Sequence, residues 1–252
     1  MAELAIEQLT KIFDGTEVLK ELSLNIAEDE FVAVLGPSGS GKSTLFHLIG
    51  GLYEPDAGAI LLDGENINGQ KGSVSYMPQS PSLLPWRTVL DNVLLGAEIA
   101  GHKDRQAAIQ MMGKAGLSGY EQSYPHQLSG GMKQRAAFIR SLLSPQPLIL
   151  LDEPFSALDE FTRSEMQKWL LDIWQHDKRS ILFVTHNIDE ALFLADRILV
   201  LSEKPAQVVT EFKVEFERPR AEALTLSEEF LQYKKDIYKV LKKRTMEETM
   251  GS

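Results

Sequence analysis

Gly36-Pro37-Ser38-Gly39-Ser40-Gly41-Lys42-Ser43-Thr44 carries more information about this chain than any other stretch of it. Before it runs Phe31-Val32-Ala33-Val34-Leu35, continuously apolar, which predicts a strand buried on both faces. After it come Leu45, Leu48, Ile49 and Leu52, whose three-and-four spacing predicts one face of a helix. Between a strand and a helix, the pattern G-x-x-x-x-G-K-[ST] is a phosphate cradle. Gly36, Gly39 and Gly41 are expected to take backbone angles that aim successive N–H groups into one anion-sized hollow. The helix behind them adds the positive end of its dipole. Lys42 supplies a cation for the outer phosphates and Ser43 a hydroxyl for Mg²⁺. A bare glycine-rich turn is the other reading, and the full motif in this context weighs against it. The stretch therefore points to a bound nucleoside triphosphate.

Composition sets bounds around that expectation. A chain of 252 residues suits one large α/β domain or two small ones. With no cysteine, disulfides, thiolate metal sites and cysteine nucleophiles are excluded. A formal charge of −10 argues against a non-specific nucleic-acid binder, which needs a net basic face. No apolar run approaches the roughly 20 residues of a membrane-spanning helix. Met1-Ala2-Glu3 does not begin a signal peptide, so a soluble cytosolic protein is expected.

Leu4, Ile6 and Leu9 lead to a turn at Asp14-Gly15, and Leu22-Leu24-Ile26 then alternates with polar residues, which predicts an opening β meander. Ile60–Leu62 and Val74–Met77 predict short strands. From about Thr88 the apolar period becomes helical, through Val89, Leu90, Val93 and Leu94 and later Ala108, Met111, Met112 and Ala115. This helical insert runs to about Leu143. Strands resume at Leu148–Leu151, Ile181–Val184 and Ile198–Leu201, with a long helix from Asp159 between the first two and one or two strands across Val208–Phe216. Ser227 is a candidate cap for a closing helix with Phe230, Tyr233, Ile237 and Leu241 on one face. Its lysines, Lys234, Lys235, Lys239, Lys242 and Lys243, are expected to be solvated.

Leu148–Glu153 is an apolar strand ending in two carboxylates. Alone that is an ordinary strand end, but beside a phosphate loop it divides into roles. Asp152 falls where a P-loop enzyme holds Mg²⁺, directly or through water, and Glu153 can deprotonate the attacking water. Ser129-Gly130-Gly131, followed by the helical run Lys133–Leu143, gives a second helix N-terminus with bare backbone donors. As an isolated string it is a capped helix start. The chain thus offers two anion-type helix ends but one lysine-bearing loop.

The set Gly36–Thr44, Gln79, Leu128–Gln134, Leu148–Glu153, Ser156-Ala157-Leu158-Asp159 and His186 resembles, in kind and order, the nucleotide-binding subunit of an ABC transporter. The resemblance covers the chain from about Phe13 to Leu201. Leu83–Val93, Tyr124–Met132 and Pro154–Asp159 look more narrowly like the nitrate/sulfonate/taurine importer branch, which also includes importers of thiamine pyrimidine precursors. The resemblance implies an α/β P-loop NTPase of the ABC ATPase type, with an N-terminal antiparallel β subdomain and a helical insert. One domain would fill residues 1–252: a RecA-like core with the β subdomain over about 1–87 and 144–225, a helical subdomain over about 88–143, and a C-terminal helix over about 227–244.

It further implies ATP and Mg²⁺ as ligands, with Ser43, Gln79 and Asp152 toward the metal. Two subunits would face head to tail, each ATP lying between one phosphate loop and the partner's Ser129–Gly131 helix end. Gln79 would monitor metal and attacking water, Asp159 would communicate across the dimer, and His186 would contact the terminal phosphate. Phe13 falls where the family stacks an aromatic ring on adenine; Phe keeps the π face where Tyr is common, and a buried strand-end Phe is the other reading. Asn187 follows His186 where an acid is frequent. The implied assembly is a homodimer on two transmembrane permease subunits at the cytoplasmic face of the cell membrane. An extracytoplasmic solute-binding protein would be engaged indirectly, and nucleic acid not at all. A soluble, non-transport ABC ATPase of cofactor assembly, translation or DNA repair is the alternative.

Overall fold

The computed structural model describes residues 3–249, with side chains to residue 242. Met1 and Ala2, and the Lys243 side chain of the expected lysine face, lie outside the described residues. The chain divides into two units, one built from the chain up to Lys71 and again from Asp177, the other from Gly72–His176.

The first unit opens with β1 (Leu4–Phe13) and β2 (Thr16–Ile26), paired antiparallel. Asp14 and Gly15 both have positive φ, 48° and 77°, the two-residue turn whose twist matches that of the flanking strands. β4 (Ala57–Leu62) adds antiparallel to β1, and β5 (Glu65–Asn66) folds back on β4 across Asp63-Gly64, another such turn at φ 52° and 81°. Leu22, Leu24 and Ile26 are buried and their neighbours exposed, as their alternation predicts. β3 (Phe31–Leu35) is buried throughout and lies between two parallel neighbours, β8 (Ser180–Val184) and β9 (Arg197–Leu201). Strands covered on both faces have no polar side to alternate with, hence the unbroken apolar runs. β10 (Val208–Lys213) pairs antiparallel with β9, one strand across the segment read as one or two.

α1 (Lys42–Ile49) buries Leu45, Leu48 and Ile49, but Leu52 lies beyond the helix and is 51% exposed. The Gly50-Gly51 pair ends the helix. Gly51 sits at φ 69°, and the Leu52 N–H reaches back to the His47 carbonyl at 2.8 Å, a left-handed helix stop. A Cβ on Gly51 would lie 2.2 Å from the Gln70 carbonyl oxygen. Gly51→Ala thus meets both an unfavourable φ and a backbone wall. It should lower stability by about 2 kcal/mol or more, read as a lower urea midpoint; an unchanged midpoint would contradict the close packing.

α7 (Ile188–Leu194) packs on β3, and α8 (Glu228–Thr249) on α7. Ser227 Oγ accepts the Phe230 N–H at 3.2 Å, and Phe230 and Ile237 are buried while Tyr233 and Leu241 are half-buried. Of the lysines, Lys234 pairs with Asp189 and Lys239 with Asp236, and Lys235 and Lys242 are exposed.

In the second unit β6 (Ser75–Met77) pairs parallel with β7 (Leu148–Asp152). Residues 88–143 carry four α-helices, α2 (Val89–Val93), α3 (Leu95–Ile99), α4 (Arg105–Lys114) and α5 (Gly130–Leu143), the first three packed on α5. Thr88 and Asp104 cap α2 and α4 through the Asp91 and Ala107 N–H groups. α6 (Glu160–His176) buries Met166, Leu170 and Trp174 along one stripe.

Candidate functional site

The phosphate loop leaves the C-terminal end of β3 and runs into α1. Gly39 and Gly41 have positive φ, 79° and 108°, but Gly36 does not; its place is set by packing. A Cβ there would lie 3.2 Å from the Leu201 Cβ and carbonyl oxygen. At Gly41 a Cβ would meet Leu19 and Val18 side chains at 3.1 Å, so the loop passes directly under β2. At Gly39 nothing lies within 4 Å, and Ser38, Gly39 and Ser43 are exposed, while Pro37 and Thr44 are half-buried and Ser40 is buried. Lys42 is itself buried, its ammonium donating to the Gly36 carbonyl at 2.9 Å and the Pro37 carbonyl at 2.7 Å. The loop carbonyls thus hold this cation at the cradle.

β8 ends at the same edge. Val34 pairs with Val184, and the Thr185 N–H donates to the Val34 carbonyl at 3.3 Å, so exposed His186 follows where Gly36 leaves β3. Buried Thr185 accepts the Asn187 N–H at 3.0 Å and donates to Glu190 at 2.6 Å. Asn187 caps α7 through the Asp189 and Glu190 N–H groups. That capping explains an amide where an acid is frequent: either side chain supplies the oxygen. Phe13, half-buried, contacts Tyr53 with ring centroids 5.4 Å apart and carries the Lys11 ammonium 5.2 Å from its centroid.

In the second unit Asp152 is buried at the end of β7, and Glu153 comes next at φ 47°. A non-glycine residue there is strained and persists only where surroundings hold it. Its carbonyl accepts the Ser156 N–H at 3.2 Å, the Ser156 hydroxyl at 2.9 Å and the Gln134 amide at 3.4 Å. Its carboxylate accepts the exposed Gln79 amide at 3.0 Å. Burial, aided by the Asp152 charge, raises the Tyr76 phenol well above its ordinary pKa, so it stays neutral beside that carboxylate. Ser129 caps α5, accepting the Met132 N–H at 3.3 Å. Gly130 is open, whereas a Cβ on Gly131 would lie 3.3 Å from Leu158 and 3.4 Å from the Ala157 carbonyl. The segment 156–159 therefore seats on the glycine helix start. Asp159 accepts the N–H and the hydroxyl of Thr162 at 3.0 and 2.7 Å, and these bonds lower its pKa from the ordinary aspartate value. The second unit thus joins Gln79 to Glu153 directly, and Glu153 through Gln134 to the α5 end on which the Asp159 loop rests.

Two residues that sequence reasoning passed over fix the segment after Gln79. Buried Asn92 accepts the Leu84 N–H at 2.7 Å and donates to the Leu84, Arg87 and Thr88 carbonyls. Arg140 donates to the Ser82 and Pro81 carbonyls at 2.9 and 2.8 Å. Leu83 and Leu84 are half-buried, and Trp86 is 72% exposed. An asparagine inside an apolar helical period was the available signal.

Ser43, Gln79 and Asp152 offer only oxygen donors to a metal, which suits a hard ion such as Mg²⁺. Among the described residues no three His, Cys, Asp or Glu side chains gather to hold a metal. That donor set fits an ion carried on phosphates and completed by one or two protein oxygens.

A buried parallel strand entering a glycine loop with positive φ, Lys42 at its mouth and a helix behind it defines a P-loop nucleotide-binding α/β protein. The family model described as ABC transporter matches residues 19–156. The chain belongs to the ABC transporter family, as one of its ATP-binding, ATP-hydrolysing subunits. The taurine import ATP-binding protein of Yersinia pestis is 42% identical over 89% of this chain and 91% of its own. The formylaminopyrimidine import ATP-binding protein of Halalkalibacterium halodurans is 41% identical over 94% and 96%. The nitrate import ATP-binding protein of Synechocystis is 39% identical over 98% and 97%. Among solved structures, a dimeric bacterial ABC transporter cassette superposes with a TM-score of 0.77 at 31% identity, covering 85% of this chain and 100% of that one. A dimeric post-hydrolysis state of an ATP-binding cassette bound to ADP and Pi gives 0.75 at 30%, with the same coverages. No helix of the described residues is long and apolar enough to cross a membrane.

Proposed function

We propose that this chain is the energy-coupling ATPase of an ABC importer for a small solute of the nitrate, sulfonate, taurine or thiamine-pyrimidine-precursor type. The observation that carries the reading is the pair of helix N-termini open to anions, one behind Lys42 and one capped by Ser129, in a chain whose relatives are import ATP-binding proteins. Those relatives disfavour the non-transport alternative. The chain acts as one ABC ATPase domain, with a core over about 1–87 and 144–225, a helical subdomain over about 88–143 and a closing helix over about 227–244.

In this reading Phe13 stacks on adenine, and the backbone N–H groups of Gly36–Thr44 with Lys42 hold the phosphates. Ser43, Gln79 and Asp152 would hold Mg²⁺, which would supply positive charge against the phosphate oxygens. Glu153 accepts a proton from the attacking water while Gln79 orients it, and His186 steadies the terminal phosphate. Two copies associate head to tail, so that Ser129, Gly130 and Gly131 of one complete the nucleotide site of the other and Asp159 lies at their contact. The homodimer is peripheral, at the cytoplasmic face of the membrane on two permease subunits. The extracytoplasmic solute-binding protein is engaged only through those subunits.

Tagged protein from native membranes should copurify with a multi-spanning permease, and its purified form should hydrolyse ATP. Glu153→Gln should run as an ATP-dependent dimer in size-exclusion chromatography, and adding Ser129→Arg, which sets a bulky cation on the glycine helix end, should remove that dimer and leave monomer nucleotide binding near parental. ATPase activity without any permease partner would remove the importer reading; an intact dimer in the doubly substituted protein would remove the shared site.

A further inference from the structure

Phe13 stands at the tip of a hairpin, a place where side chains are ordinarily mobile, yet it is held by residues distant in sequence. Lys11 lies over its ring, and that ammonium is fixed in turn by the Glu54 carbonyl at 2.8 Å and the Asp56 carboxylate at 3.2 Å. Asp56 also accepts the Ile12 N–H at 2.6 Å, and its own N–H donates to the Thr10 carbonyl at 2.9 Å. One carboxylate thus grips residues 11 and 12, immediately before the ring. Tyr53 meets Phe13 T-wise at 72° and meets His47 at 85° with centroids 5.2 Å apart. The Tyr53 N–H donates to the His47 carbonyl at 3.3 Å. His47 belongs to α1, the helix whose first residue is Lys42.

We infer that Lys11 and Tyr53 are positioning residues for the nucleotide's base: they preset the Phe13 ring, and Tyr53 ties it through α1 to the phosphate loop. The inference rests on the reading of Phe13 as the base seat and adds what holds that seat. An exposed phenylalanine free to rotate would lose torsional freedom each time a base stacked on it. A ring already fixed by a cation and a second aromatic does not.

The test is equilibrium binding of ADP, with inorganic tripolyphosphate as a probe that has phosphates but no base. Lys11→Met and Tyr53→Ala should each weaken ADP binding about threefold and leave tripolyphosphate binding unchanged. Lys11→Arg and Tyr53→Phe should restore ADP affinity. In steady state Lys11→Met should raise the KM for ATP more than it lowers kcat. In a Phe13→Ala background neither substitution should weaken ADP binding further, because both act through that ring. Losses that add to that of Phe13→Ala, equal weakening toward tripolyphosphate, or tighter ADP binding by Lys11→Met would each overturn the proposal. If Phe13→Ala leaves ADP affinity unchanged, the base-seat reading falls and takes this proposal with it. If Phe13→Ala weakens binding while Lys11→Met and Tyr53→Ala remain parental, only the positioning role is lost.

Discussion

Glu153→Gln should bind ATP about as tightly as the parent and hydrolyse it at least about a hundredfold more slowly, the usual loss when a general base is removed. The side chains differ by one oxygen-for-nitrogen exchange, so what is lost is a proton acceptor. The backbone around the position gives no reason for collapse. Its φ of 47° is held by bonds to the Glu153 carbonyl from Ser156 and Gln134, and these do not involve the carboxylate. Gln79, whose amide donates to the carboxylate at 3.0 Å, keeps an oxygen acceptor in the variant. Turnover and nucleotide affinity measured on one preparation decide the matter. Parental turnover would show that another group takes the proton, and lost affinity would assign Glu153 to binding.

Lys42→Ala should fail one stage earlier, with ATP affinity weaker by about 10- to 100-fold, the scale of a lost charge-assisted hydrogen bond to phosphate. The ammonium now rests on the Gly36 and Pro37 carbonyls. Phosphate oxygens carry the charge that these carbonyls lack, and without the ammonium the loop amides face that charge alone. Binding of a nucleoside triphosphate by calorimetry checks this, with thermal unfolding as control. Unchanged affinity in a folded variant would remove the lysine from the phosphate site.

Much of this was legible in the chain itself, for a physical reason. A strand buried on both faces must be apolar throughout, so β3 and β7 announce themselves, and the residues just beyond such a strand form a loop at the sheet edge. Gly36–Thr44 and Asp152-Glu153 are therefore placed by local rules alone. The failures come where the cause is distant. Leu52 continues the helical period on paper, but Gly51, packed against Gln70, stops the helix before it. Gly36 looks like its companions in the loop, yet it is small because Leu201 lies against it. Phe13 and Tyr53 meet although some forty residues separate them, and no spacing rule connects them. The strain at Glu153 is invisible too, since nothing in Asp-Glu-Pro spells a positive φ.

Helix α5 begins at the Ser129 cap and carries Arg140 three turns on, and Arg140 grips the carbonyls of Pro81 and Ser82. At 1.5 Å per residue the cap and the arginine stand about 16 Å apart along the axis. From Met132 to Leu143 there is no glycine or proline to give way. The helix is consequently a stiff rod with a grip at each end: the glycine terminus seats the 156–159 segment, and the arginine holds the proline-rich bend. The bend at residues 81–82 and the glycine tip are therefore two ends of one helix, tied through a single continuous run of backbone hydrogen bonds.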